Sequence, residues 1–278
     1  MEELNNQTIL ICFKCWKMVN DLVQSQKFDY FLLKQIEGEK QKQQQYLIDL
    51  DVERTPLQLL QDKQLEKKIK KISSYNLQNI VNLDQEMEFQ VQELKNNLKE
   101  VLVAISNADK SVGYVQGNNF IVQSILAYFE PEDTFYIMMS ILKNYKLSEF
   151  QKNEMENLGT AMKVLDFYVW ENLRFLDEYF INNHLDCSVF AVQWFQTLFQ
   201  VTFQSNQQKI MDLFAFQGWK IIFKIALSIF KLLDQQLQKV ALYENFGLEQ
   251  IQVFDLLEQI FQENSIETIL NMAVKDYQ

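Results

Sequence analysis

The stretch AMKVLDFYVWENLRFLDEYF, residues 161–180, sets the fold class. Its apolar positions Met162, Leu165, Val169, Leu173, Leu176 and Phe180 step by three and four, the spacing that draws one stripe down an α-helix. One long amphipathic helix is predicted there. Val189, Val192, Phe195, Phe199 and Phe203 repeat the pattern. Residues 219–233 are apolar nearly all round, yet Lys220, Lys224 and Lys231 interrupt them, and the run falls short of the roughly 18–20 residues a membrane span needs. A buried core helix is predicted, with no integral membrane segment. No long alternating β-branched run occurs, and six Gly and two Pro in 278 residues are too few for the turns of a sandwich or barrel. The expected fold is all-α, with no sheet and about a dozen helices.

A chain that is 48% hydrophobic can bury a large core. Its sparse Gly and Pro mark no clear seam, so residues 1–278 are read as a single domain. Glu130-Pro131 is the one break that could divide it, into an N-terminal helical half of about residues 1–130 and a C-terminal half of about 131–278. The net charge of −11 opposes phosphate backbones and anionic surfaces, which argues against nucleic acid as a partner. Three Cys, and the lack of a charged-then-apolar leader pattern, suggest a reducing, cytoplasmic setting. His184 and Cys187, and Cys12 and Cys15, form two i,i+3 pairs that arithmetically allow a zinc site. Their apolar surroundings favour buried structural thiols instead, and no metal is expected. No glycine pattern for a nucleotide cradle occurs, so the chain should bind no nucleotide of its own.

Only two of the 26 basic residues are Arg, namely Arg54 and Arg174. In so Lys-biased a chain, a surviving Arg is a candidate for work that needs a planar fork gripping two oxygens. Arg174 has Glu171 and Glu178 at helical neighbour spacing and is assigned to a structural ion pair. Arg54 lies in Ile48-Asp49-Leu50-Asp51-Val52-Glu53-Arg54-Thr55, where Asp51 could hold the guanidinium in one pose; a surface ion pair is the simpler reading. Thr55-Pro56-Leu57-Gln58 reads as a helix start, with Thr as cap and Pro in the first turn, so the residues before it are expected to be extended or turning. Gly113 and Gly117 bracket Tyr114-Val115-Gln116, which places a polar amide on a sharp turn ahead of the apolar run Phe120-Ile121-Val122. Gln116 there could orient a water or bind a backbone; it could equally be a solvated turn residue. Residues 60–85 are Lys/Gln-rich, and the cluster Lys67, Lys68, Lys70 and Lys71 is read as a solvated helix face, with an acidic-partner or lipid patch as the alternative.

Taken together, these segments resemble the TBC domain, the catalytic module of GTPase-activating proteins for Rab-type GTPases. The family's first motif, I-x-x-D-x-x-R-T, matches Ile48, Asp51, Arg54 and Thr55. Its second, Y-x-Q-G followed by M-N, matches Tyr114, Gln116, Gly117 and Asn119, with Asn118 where Met is usual. A third, an aromatic helix ending W-F-x-T-L-F, is similar to Trp194-Phe195-Gln196-Thr197-Leu198-Phe199. A fourth, acidic and aromatic residues leading to E-G-W, resembles residues 212–219, with Gly218 and Trp219 matched and Gln217 in place of Glu.

The resemblance implies a two-lobed, multi-helix domain and a two-finger mechanism. Arg54 matches the family's arginine finger and Gln116 its glutamine finger, both supplied in trans to a GTP-bound Rab-type GTPase. Asp51 would orient Arg54, while Tyr114, Gly117 and Asn119 would hold the loop; Ile48, Thr55, Trp194, Phe195 and Gly218 would be structural. GTP and Mg would be carried by the partner, leaving this chain no cofactor of its own. The resemblance further implies a part in vesicle trafficking and peripheral recruitment to membranes through the GTPase. The alternative is a catalytically inactive member of the same fold, used as a binding or scaffold protein with other partners in a larger assembly.

Overall fold

A computed structural model describes residues 28–36, 39–56, 83–110, 112–152, 156–203, 207–243 and 250–275. The described residues are all-α, and no strand occurs among them. Two compact units divide the chain between Gln151 and Lys152. The boundary is therefore not at Glu130-Pro131. Those residues start a helix: Glu130 is the N-cap, Pro131 occupies the first turn, where its missing N–H costs nothing, and Glu132 and Asp133 complement the helix dipole.

The first unit contains α1 (Tyr30–Leu33), α2 (Glu39–Arg54), α3 (Leu83–Ala108), α4 (Asn118–Leu126), α5 (Pro131–Lys143) and α6 (Leu147–Gln151). Its centre is α3, against which α1, α2, α4 and α5 all pack. Leu94, Leu98, Val101, Leu102 and Ile105 are buried along it at steps of three, four and one. Helix α5 adds Phe135, Met138 and Ile141, all fully buried.

The segment carrying Asp51 and Arg54 is helical, which corrects the extended reading. Its sequence is polar, and only Ile48 and Val52 are buried among its large apolar side chains. Against α3, helix α2 also forms two ion pairs: Lys99 with Asp49 at 2.7 Å, and Lys95 with Glu53. Thr55 closes this helix. Its N–H reaches the Val52 carbonyl, and its hydroxyl donates to the Asp51 carbonyl at 2.6 Å. The residues that would follow it into a new helix, and the cluster from Lys67 to Lys71, lie outside the described residues.

The second unit contains α7 (Glu156–Asn172), α8 (Arg174–Asn182), α9 (Ser188–Gln196), α10 (Gln207–Gln217), α11 (Trp219–Tyr243), α12 (Gln250–Glu263) and α13 (Ile266–Lys275). The stripe from Met162 to Phe180 is buried throughout, but it belongs to two helices. Leu173, at φ −130° and ψ 63°, separates them. Asp234 of α11 accepts the Leu176 N–H at 2.9 Å, one of the donors that a helix start leaves without a partner. Burial pushes the Asp234 carboxyl above the usual range, and its bonds to Leu176 and Gln238 act the other way.

Helix α11 is the core helix expected from residues 219–233. Ile221, Ile222, Ile225, Ala226, Ile229, Phe230 and Leu233 are buried, and α7 to α10, α12 and α13 pack against it. Among the described residues no helix is long and apolar enough to cross a membrane. Helix α9 is rotated from its expected register: Phe190, Ala191, Trp194 and Phe195 face inward, and Val189 is exposed. Its end is a Schellman-type cap, with the Phe199 N–H on the Trp194 carbonyl at 2.9 Å and the two rings stacked 5.4 Å apart. Leu198 occupies the left-handed position, φ 49°, where glycine is usual.

Arg174 forms no ion pair with Glu171 or Glu178. Its guanidinium lies over the Trp170 ring, 4.4 Å from the centroid, a cation–π contact in place of the expected pair. Cys187 is buried, and its backbone N–H donates to Asp166 at 2.9 Å. Burial and the neighbouring carboxylates push the thiol far up. It is a structural thiol of low reactivity. Cys12 and Cys15 lie outside the described residues.

Candidate functional site

The end of α2 and the start of α4 meet in the first unit, and the two sequence segments that carry Arg54 and Gln116 come together there. Left-handed glycines shape the second segment. After α3 ends, the Gly113 N–H returns to the Asp109 carbonyl at 2.7 Å, and Gly113 takes φ 73°. Gly117 takes φ 105° as the N-cap of α4, a conformation open to few residues with a Cβ.

Four buried or half-buried side chains then link the segments. The Tyr114 hydroxyl donates to Asp51 Oδ2 at 2.7 Å. Asn119 Nδ2 donates to Thr55 Oγ1 at 2.8 Å, and Asn119 Oδ1 accepts the Gly117 N–H at 3.1 Å. Thr55, bonded back to the Asp51 carbonyl, completes the circuit. Burial, together with the Asp51 carboxylate as hydrogen-bond partner and nearby charge, raises the Tyr114 phenol far above its ordinary value, so it remains a donor. Ile48, 1% exposed, packs beneath.

Arg54 and Gln116 stand outside this circuit. Both are exposed, and neither forms a hydrogen bond or ion pair with any described residue. This corrects the expectation that Asp51 holds the Arg54 guanidinium: Asp51 is engaged by Tyr114 and fixes the loop, not the arginine head. The result is a rigid base presenting a five-donor cation and an amide that can both donate and accept.

Three further residues escaped the sequence reading. Gln44 of α2 accepts the Tyr114 N–H. Gln123 of α4 donates to the Pro56 carbonyl. Gln151 Nε2 donates to Asn118 Oδ1 at 2.7 Å, so the polar residue standing where Met is usual has a buried amide partner. Only the position of Asn118 in its motif could have signalled any of these.

The aromatic motifs lie in the second unit and build its core. Phe195 stacks on Trp219, centroids 6.2 Å apart at 11°, which joins the third and fourth motifs. Gly218, φ 57°, makes the turn from α10 into α11. Trp194 and Phe195 are buried and belong to packing. Among the described residues no group of three or more His, Cys, Asp or Glu could hold a metal ion.

Fold and site together define, among the described residues, an all-helical protein with an exposed guanidinium and an exposed amide beside a buried hydrogen-bonded loop. A family model described as the Rab-GTPase-TBC domain matches residues 5–238, and the chain belongs to that family. The Rab GTPase-activating protein eat-17 of Caenorhabditis elegans is 38% identical over 133 residues, 48% of this chain and 15% of that protein. The human Ecotropic viral integration site 5 protein homolog is 31% identical over 144 residues, 51% of this chain and 18% of that one. The chain thus spans less than a fifth of the length of these curated relatives. A crystal structure of the Chlamydomonas flagellar RabGAP TBC domain aligns over 96% of this chain and 86% of that one, with TM-score 0.54 and 18% identity, a likeness of fold.

Proposed function

We propose that this protein stimulates GTP hydrolysis by a GTP-bound Rab-type small GTPase, supplying Arg54 and Gln116 in trans. One observation carries the reading: within a buried, mutually bonded set of motif residues, these two side chains alone are exposed and unengaged by any described residue. Membership of the Rab-GTPase-TBC family supports the choice of partner.

The chemistry follows from charge. Phosphoryl transfer spreads negative charge over the γ-phosphate oxygens, and a guanidinium placed there stabilises the transition state more than the ground state. An arginine finger supplies about 10³–10⁵ in rate, roughly 4–7 kcal/mol. The Gln116 amide can accept from the attacking water while donating to a phosphate oxygen, which fixes the water's line of attack. GTP and Mg²⁺ belong to the GTPase. Recruitment to a membrane would then follow from the lipid-anchored partner, and vesicle trafficking would be the setting.

The test is phosphate release from a panel of GTP-loaded Rab GTPases with the wild-type protein, Arg54→Lys and Gln116→Ala. Acceleration of one GTPase by orders of magnitude, mostly lost in both variants, is expected. A folded, helical protein that accelerates none refutes the catalytic reading and leaves the fold as a binding platform.

A further inference from the structure

Two glutamines outside the family motifs make contacts that cross between the site's segments. Gln44 sits on α2, the helix that ends in Arg54, yet its Oε1 accepts the Tyr114 N–H and lies 3.3 Å from the Ser106 hydroxyl. A side chain of the arginine helix thus holds the loop that carries Gln116. The approach is close: a Cβ built on Gly113 would lie 2.9 Å from that same Oε1. Gln123 does the reverse. It sits on α4, the helix that follows Gln116, is 2% exposed, and its Nε2 donates to the Pro56 carbonyl on the turn leaving Arg54.

Resting on the reading of Arg54 and Gln116 as the groups presented to the GTPase, we infer that Gln44 and Gln123 are positioning residues with crossed assignments: Gln44 sets the pose of Gln116, and Gln123 sets that of Arg54. The physical ground is tolerance. A group that acts only in the transition state must be placed within a fraction of an ångström, and a misplacement of about 1 Å costs about a hundredfold. Arg54 and Gln116 have no side-chain partners of their own among the described residues. Their placement therefore depends on the backbone that carries them, and the two amides hold that backbone from the opposite segment.

The experiment measures kcat and KM for the Rab GTPase that responds best, with Gln44→Leu, Gln44→Glu and Gln123→Leu, and with the two Leu variants also on Gln116→Ala and Arg54→Lys backgrounds. Amide hydrogen exchange is followed on each. Gln44→Leu is expected to lower kcat about ten- to a hundredfold with KM within about twofold. That loss should vanish on Gln116→Ala and persist on Arg54→Lys; Gln123→Leu should show the mirror image. Gln44→Glu keeps the acceptor and should restore most of the kcat lost in Gln44→Leu. Exchange at residues 113–117 should quicken at least tenfold in Gln44→Leu, and at residues 54–55 in Gln123→Leu. Gln123→Met, close in volume, replaces any Leu variant at that position that fails to fold. Equal losses on every background, or unchanged local exchange, overturn the inference. If no GTPase responds to the wild type, the functional reading fails by itself; local exchange then decides whether the crossed contacts set the two segments.

Discussion

Replacing Asn119 by Ala removes the bridge between the two site segments at its most buried point. Asn119 is 2% exposed, and its amide serves both sides: Oδ1 accepts from Gly117 and Nδ2 donates to Thr55. Two neutral hydrogen bonds contribute about 1 kcal/mol each net. The buried Gly117 N–H is then left without an acceptor, which costs about 1–3 kcal/mol and includes the bond already counted on that side. The Thr55 hydroxyl keeps its bond to the Asp51 carbonyl, so that side loses one contact only. The total expected is about 3 kcal/mol of unfolding free energy. Urea titration followed by circular dichroism reads it as a lower midpoint at unchanged slope. A double-mutant cycle with Thr55→Val should return a coupling of about 1 kcal/mol. A loss below about 1 kcal/mol, or additivity with Thr55→Val, would refute the circuit as drawn.

Other substitutions test neighbouring contacts. Tyr114→Phe should cost about 1.5–3 kcal/mol near pH 8, the range for a hydrogen bond to a charged group. Because the folded-state phenol is raised, this contribution is complete below the unfolded value of about 10 and is lost as pH rises beyond it, so the gap to wild type should narrow in alkaline denaturation curves. Asn118→Met should destabilise by about 1–3 kcal/mol by orphaning the Gln151 amide, and Asn118→Met with Gln151→Leu should recover most of it in thermal melts. Asp234→Asn keeps the acceptor for the Leu176 N–H, meets Gln238 by a flip of that side-chain amide, and removes a charge that burial disfavours. A raised carboxyl stabilises the fold most below about pH 3.9 and progressively less above it. The Asn variant should therefore be the more stable at pH 7, with its advantage disappearing as titrations approach pH 4.

Much of this was legible in the sequence where a repeating pattern carried it. The buried face of α7 and α8 and the core of α11 follow from apolar spacing, because burial of a stripe is a local demand on the sequence. Helix α2 is hard to read locally because so little of it is apolar; its contacts with α3 and with Tyr114 join residues that no local window contains. The split at Leu173 and the partnership of Asp51 with Tyr114 were missed for the same kind of reason, since each depends on a residue that only the fold brings near. The motif residues could be named from their order and spacing. Gln44 and Gln123 could not, because an isolated glutamine on a helix looks the same whether it faces water or grips a loop.

Asp234 and Leu176 are 58 residues apart, so what supports the break between α7 and α8 lies outside their own stretch of sequence. Nothing in the local apolar spacing marks Leu173 as the end of a helix. The break frees the Leu176 N–H, and the Asp234 carboxylate of α11 offers it an acceptor. The separation of α7 from α8 is thus supported by a non-local contact. Removing the Asp234 acceptor should therefore leave residues 161–180 helical while weakening the break at Leu173.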